Sequence, residues 1–138
     1  MIRLLYSSQA TQNITEQDIA EILEKSQKNN QEVGITGVLL YGGHLFMQVL
    51  EGPEQAVLKK YITICEDERN SLNKIIYISY ADKRMFGDWS MATIQCDQIA
   101  FQRIFDLNSR ATETIAPESF RETMRDFLRR LNGAKKDH

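Results

Sequence analysis

An α+β fold with one mostly antiparallel sheet is predicted by three features of the chain. Short apolar runs and amphipathic stretches alternate in the order strand, helix, strand, strand, helix, strand. A Gly-Gly pair separates two adjacent apolar runs, which is a hairpin signal. The two central runs are apolar at both parities, so both faces of the sheet should be covered. The chain has 138 residues, with 42% hydrophobic and 26% charged side chains, which fits one globular domain.

Residues 2–8 are apolar and bounded by polar residues, and read as the first strand. Thr15 followed by Asp18 is a capping-box pattern, with Ile14 placed before the cap. It starts a helix from about 16 to 30, where Ile19, Ile22, Leu23 and Ser26 fall at helical spacing, and Gly34 ends the segment. Runs 35–41 and 44–50 form the hairpin around Gly42-Gly43. Gly52-Pro53 then stops the strand and opens a second helix, whose apolar side is Val57, Leu58, Tyr61, Ile62, Ile64 and Cys65. Residues 74–80 give another strand, and 89–95 a last one. The β-α-β-β-α-β order with one extra strand is the ferredoxin-like arrangement, with two helices on one face of the sheet.

The remainder, 96–138, is expected to be a helical extension on the other face, following a sheet domain at 1–95. Ile99, Phe101, Ile104, Phe105 and Leu107 suggest a short helix. Pro117 opens a longer one, with Phe120, Met124, Phe127, Leu128 and Leu131 on one side, ending at Gly133 before a frayed tail. Arg121, Arg125 and Arg129 recur every fourth residue on its outer side, which suits a solvated face or a docking surface.

Composition excludes several classes. A formal net charge of -2 argues against nucleic-acid binding, which favours a basic excess. Cys65 and Cys96 lack metal-site or disulfide spacing, so free thiols are expected. No apolar run reaches the ~18 residues of a membrane span, and the chain opens on a strand-like run, not a signal peptide; a cytoplasmic protein is expected. There is no GxGxxG nucleotide motif and no acid–base constellation, so no enzyme is expected.

Three polar residues interrupt apolar patterns. Gln48 shares parity with Phe46 and Leu50 in the most hydrophobic strand, and a buried amide without a partner costs roughly 1–3 kcal/mol. Tyr6, in the first strand, carries a phenol that donates and accepts. Asn30 ends the first helix. Each has an ordinary explanation alone, as an edge residue, a packing residue or a helix cap. Together they point to a ligand with hydrogen-bonding edges held between helices and sheet, without saying which.

The segments Leu4-Leu5-Tyr6-Ser7-Ser8, Lys25-Ser26-Gln27-Lys28-Asn29-Asn30, Gly34-Ile35-Thr36-Gly37 and Phe46-Met47-Gln48-Val49-Leu50-Glu51-Gly52 continue with Asp67-Glu68-Arg69, Arg84-Met85-Phe86 and Trp89-Ser90-Met91. In that order and spacing they resemble the BLUF family, the sensors of blue light using flavin. The resemblance implies a blue-light photoreceptor with non-covalent FAD, FMN being possible, between the first two helices. It implies Tyr6 as electron and proton donor and Gln48 as the switch. Asn30 would hold the ring's C4 carbonyl and N3 edge, and Ile22 and Ile64 would sandwich it. Ser26, Asn29 and Phe46 would lie nearby, and Asp67 and Arg69 near the ribityl and phosphate part. Ser8, Trp89 and Met91 would carry the signal, the last two from the final strand, taken as the neighbour of the Gln48 strand. Asn70 stands where many relatives have His, which removes any role for an imidazole there. With no second domain following, the resemblance is to the short, stand-alone type, which acts on a partner protein and forms pentamer-based rings or decamers. A flavin-dependent redox enzyme and a ferredoxin-like interaction protein are the alternatives.

Overall fold

The structure, a computed structural model, describes residues 1–11, 15–95 and 117–136. Its elements are β1 (Ile2–Ala10), α1 (Glu16–Val33), β2 (Thr36–Gly42), β3 (Leu45–Gly52), α2 (Glu54–Glu66), β4 (Asn70–Tyr80), β5 (Ala92–Gln95) and α3 (Pro117–Lys136). The five strands form one sheet in the order β4-β1-β3-β2-β5. The first four pair antiparallel, and β5 joins the edge parallel to β2. This is the ferredoxin-like sheet with one added strand.

The alternation of side chains along each strand divides the core in two. Leu4, Tyr6, Leu39, Phe46 and Leu50 face the side that also holds Ile19 of α1 and Val57 of α2. Leu5, Val38, Leu40, Met47 and Val49 face the other side, packed with Met124, Phe127 and Leu131 of α3. The runs that are apolar at both parities are therefore covered on both faces. The short helix expected around 99–107 lies outside the described residues, as does Cys96.

Local chemistry sets the element ends. The Thr15 side chain accepts from the Asp18 N–H, and the Asp18 carboxylate accepts from the Thr15 N–H, closing the capping box. Gly34 ends α1 with φ 75°, the left-handed conformation only glycine adopts cheaply. Three expectations are corrected. The hairpin turn is Gly43-His44, with Gly42 already paired to Leu45. Gly43 has φ 57° and His44 does not have a positive φ, the pattern of a type II′ turn with glycine first. The last strand starts at Ala92 instead of 89 and lies beside β2, not beside β3. Helix α3 runs through Gly133 to Lys136, because an interior glycine costs a helix only about 1 kcal/mol.

The loop between β4 and β5 is tied to the sheet by a buried carboxylate. Glu51 is fully buried. It accepts from Arg3 Nε at 3.1 Å, Thr36 Oγ1 at 3.1 Å, and the backbone N–H groups of Met85 and Phe86. Arg84 donates to the Gly34 carbonyl at 2.6 Å, the Thr36 hydroxyl at 2.8 Å and the Glu51 carbonyl at 3.2 Å. A buried charge is tolerated only when paired and hydrogen-bonded in this way.

Candidate functional site

Strand register brings the polar residues together. Tyr6 of β1 lies directly opposite Gln48 of β3, and Leu39 of β2 lies opposite Gln48 from the other side. The Tyr6 hydroxyl donates a short hydrogen bond to Gln48 Oε1. Gln48 Nε2 in turn donates to the Met91 thioether at 3.2 Å. Both amide ends are thus satisfied inside the core, which answers the cost that a lone buried Gln would carry. The Tyr61 ring of α2 meets the Tyr6 ring edge-on, with centroids 5.2 Å apart. Burial, then the neighbouring Tyr61 and Cys65, hold the Tyr6 phenol above its usual range. It is a neutral proton donor at ordinary pH.

A cleft between α1, α2 and the sheet opens over this pair. It is lined by Tyr6, Ser8, Ile22, Ser26, Leu39, Phe46, Gln48, Lys60, Ile64 and Asn70. Seven of these, Tyr6, Ser8, Ile22, Ser26, Phe46, Gln48 and Ile64, were expected from the sequence. Leu39, Lys60 and Asn70 were not. Lys60 had a signal: it precedes Ile64 by four residues on one helix and so shares its face. The free volume is about 50 Å³, small beside the ~300 Å³ or more of typical ligand pockets. Side chains of the two helix walls must turn aside to admit a ring.

The other expected residues lie around the cleft. Asn30 is fully buried and lines an adjoining hollow with Ser90 and Arg84. Its Nδ2 donates to the Ser90 carbonyl at 3.0 Å, while its Oδ1 has no partner among the described residues. Asn29 is exposed. Asp67 and Arg69 form an exposed ion pair at 2.7 Å, and the Arg69 guanidinium holds the Asp67 carboxyl below its usual range. Met91 belongs to the core on the cleft side, whereas Trp89 packs on the α3 side. They sit in the loop before β5, so the expectation that they occupy the last strand is corrected. In a strand, residues two apart share a face; the loop lets these two separate. Gln27 Nε2 of α1 donates to the Met91 carbonyl at 3.1 Å, so α1 grips the loop through Gln27 and Asn30.

The donors suit a planar ring with hydrogen-bonding edges. Ile22 and Ile64 offer apolar walls from facing helices, Gln48 and Tyr6 offer a polar floor, and Asn30 keeps an unpaired buried acceptor for an N–H. On the opposite side of the sheet, Arg125 and Arg129 are exposed, and Asp126 partly neutralises the row through Arg129 and Arg130.

A family model described as sensors of blue-light using FAD matches residues 1–92. The photoactivated adenylate cyclase subunit beta-like protein FB of Euglena gracilis is 31% identical over 98 residues, covering 70% of this chain and 11% of that protein. The blue light- and temperature-regulated antirepressor BluF of Escherichia coli (strain K12) is 34% identical over 88 residues, covering 64% of this chain and 22% of that protein. The chain therefore spans about a tenth of the cyclase-type relative and about a fifth of the antirepressor. Among solved structures, the photo-activated state of BlsA superposes with a TM-score of 0.75 at 26% identity, covering 92% of this chain and 94% of that one. The dark state of BlrB, a BLUF protein, gives 0.73 at 29% identity with the same coverage.

Proposed function

The chain belongs to the BLUF family of blue-light sensors using FAD, and from that membership we propose that Tyr6 and Gln48 are its photochemical switch and the 89–91 loop its output. The observation that carries the proposal is the chain of bonds from Tyr6 Oη to Gln48 Oε1 and from Gln48 Nε2 to Met91 Sδ.

Bound in the cleft, FAD supplies light absorption and, when excited, a strong one-electron oxidising power. Ile22 and Ile64, lining the cleft from its two helices, would hold the ring and exclude water. Asn30 Oδ1 would accept from a ring N–H, with Ser26 and Asn29 near it, and Asp67 and Arg69 would hold the phosphate end. Tyr6 would give an electron to the excited flavin and its phenolic proton to Gln48 Oε1, the acceptor it already touches, and both would return to Tyr6 on charge recombination, leaving only the Gln48 amide changed. A half-turn of the Gln48 amide then exchanges the two ends. Nε2 donates to the Tyr6 oxygen, and Oε1 faces Met91. A thioether only accepts, so that contact is lost and Met91 is released. The loop that holds Met91 on one face of the sheet holds Trp89 against the α3 side of the other, so the change crosses the sheet.

The output is regulation of a partner protein without turnover by this domain, in the cytoplasm, with a ring-like homo-oligomer as its assembly. Ser8, lining the cleft, belongs to the same path. FMN, present in the Klebsiella pneumoniae BlrP1 structure with cyclic diGMP, carries the same ring and is accepted as well.

The test is the visible spectrum of the protein before and after blue light. A flavin spectrum that shifts slightly to the red and recovers in darkness is expected. Tyr6→Phe and Gln48→Leu should abolish the shift, while Met91→Leu should keep it and lose the response of the partner. Bleaching without a red shift would indicate a redox enzyme instead, and a protein that takes up no flavin would overturn the reading.

A further inference from the structure

Among the described residues, one positive charge in the cleft has no anion paired with it. Lys60 is half-buried and lines the cleft with Gln48, Ile22 and Ile64. No ion pair or side-chain hydrogen bond engages it among the described residues. The charged group that acts on it is Lys25, from the facing helix α1, and that charge is like in sign. Burial first, then Lys25, hold the Lys60 ammonium below its usual pKa. The Asp67 carboxylate, which acts on Lys25, is itself engaged by Arg69 at 2.7 Å. A lysine on a helix surface ordinarily extends to water; this one forms part of a cleft wall, one turn before the isoleucine expected to touch the ring.

We propose that Lys60, reinforced by Lys25, selects for negative charge on the ring bound in this cleft, so that the domain holds reduced flavin more tightly than oxidised flavin. The inference rests on the reading that the cleft takes a flavin. Two electrons and one proton convert the neutral oxidised ring into a monoanion; Lys60 keeps its own proton and contributes through its field alone. A close charge pair in a partly shielded site should change the ratio of the two dissociation constants by at least about tenfold. The same field tunes the cofactor's reducibility, one of the ways a protein adjusts a cofactor it does not chemically alter.

The experiment uses the full chain loaded with FAD and, separately, with riboflavin. The midpoint potential is measured by dithionite titration for the unmodified protein and for Lys60→Gln, Lys60→Arg, Lys25→Gln and Lys59→Gln. Lys59 is exposed on the outer side of α2 and serves as the control. Lys60→Gln should lower the potential by the equivalent of about tenfold in the ratio, with both flavins. Lys60→Arg should keep it, Lys25→Gln should lower it less, and Lys59→Gln should leave it unchanged. A Lys60→Gln potential equal to that of the unmodified protein overturns the inference. So does a variant that weakens FAD but not riboflavin at unchanged potential, since that would place a phosphate on Lys60. If Lys60→Gln does not fold, an unchanged potential in Lys25→Gln overturns it. Failure of the unmodified protein to take up either flavin overturns the cleft reading itself, and this inference with it.

Discussion

Gln48 and Tyr6 were legible because each places a hydrogen-bonding group where an apolar pattern demands none. The same reasoning applied to Glu51 would have found the loop anchor. Glu51 shares parity with Met47 and Val49, and a carboxylate in that row must be buried and paired. The motif around it matched a family, and the match hid the physical anomaly. Lys60 escaped for the opposite reason: a lysine on an amphipathic helix looks ordinary until the facing helix is placed. The two phenols that meet edge-on make a pH prediction. Tyr6 is held above the usual phenol range by burial, and burial together with Cys65 pushes Tyr61 up to about 12. In the unfolded chain both titrate near about 10. The folded state therefore keeps protons that the unfolded state loses, and stability falls with rising pH in that range. The contribution is intact below about pH 10 and is lost as pH rises toward about 12. Thermal melts followed by circular dichroism should show this decline, less steep in Tyr61→Phe. Equal melting temperatures on the two sides of about pH 10 would contradict it.

Among the elements, those with local punctuation were read nearly to the residue. Thr15, Asp18 and Gly34 bound α1 through hydrogen bonds and a backbone conformation written in three positions of sequence. The hairpin was found but displaced by one, because Gly42 and Gly43 both satisfy the composition and only the pairing of Gly42 with Leu45 decides between them. Gly37, in contrast, is required by a neighbour far away in sequence. A Cβ there would stand 2.0 Å from the Val49 carbonyl oxygen, and that atom belongs to the paired backbone of β3 and cannot give way. Gly37→Ala should therefore separate β2 from β3 in the middle of the sheet. The expected result is a protein recovered as aggregate or unfolded, and a native-like melt would show that the strands can part more cheaply.

For the whole molecule, the number of layers could be read from the apolar runs, but not the strand order. The four residues of β5 pair in parallel with β2, on the far side from β3, and no short-range signal distinguishes that edge from the other. Gln48 nevertheless reaches Met91 because the loop before β5 turns inward on the cleft face. The second layer depends on α3. Phe127 is fully buried against Met47, Val49 and Leu40 in one cluster, so Phe127→Ala should cost about 3–5 kcal/mol, visible as a lower denaturant midpoint. A loss under about 1 kcal/mol would mean that α3 covers the sheet only loosely.

The carboxylate of Glu51 also gathers distant segments of the chain at one point. Its partners lie 48 residues earlier, at Arg3, and 35 later, at Phe86. Contacts so distant along the chain cannot reward their own closure until intervening segments have been gathered. Glu51 therefore joins β1, β2 and the 85–86 backbone at one buried point. The loop that leads to Trp89 and Met91 is thus fastened to the sheet through one carboxylate. On the proposed reading, the output segment can then loosen at that one fastening without dismantling the sheet beneath the cleft.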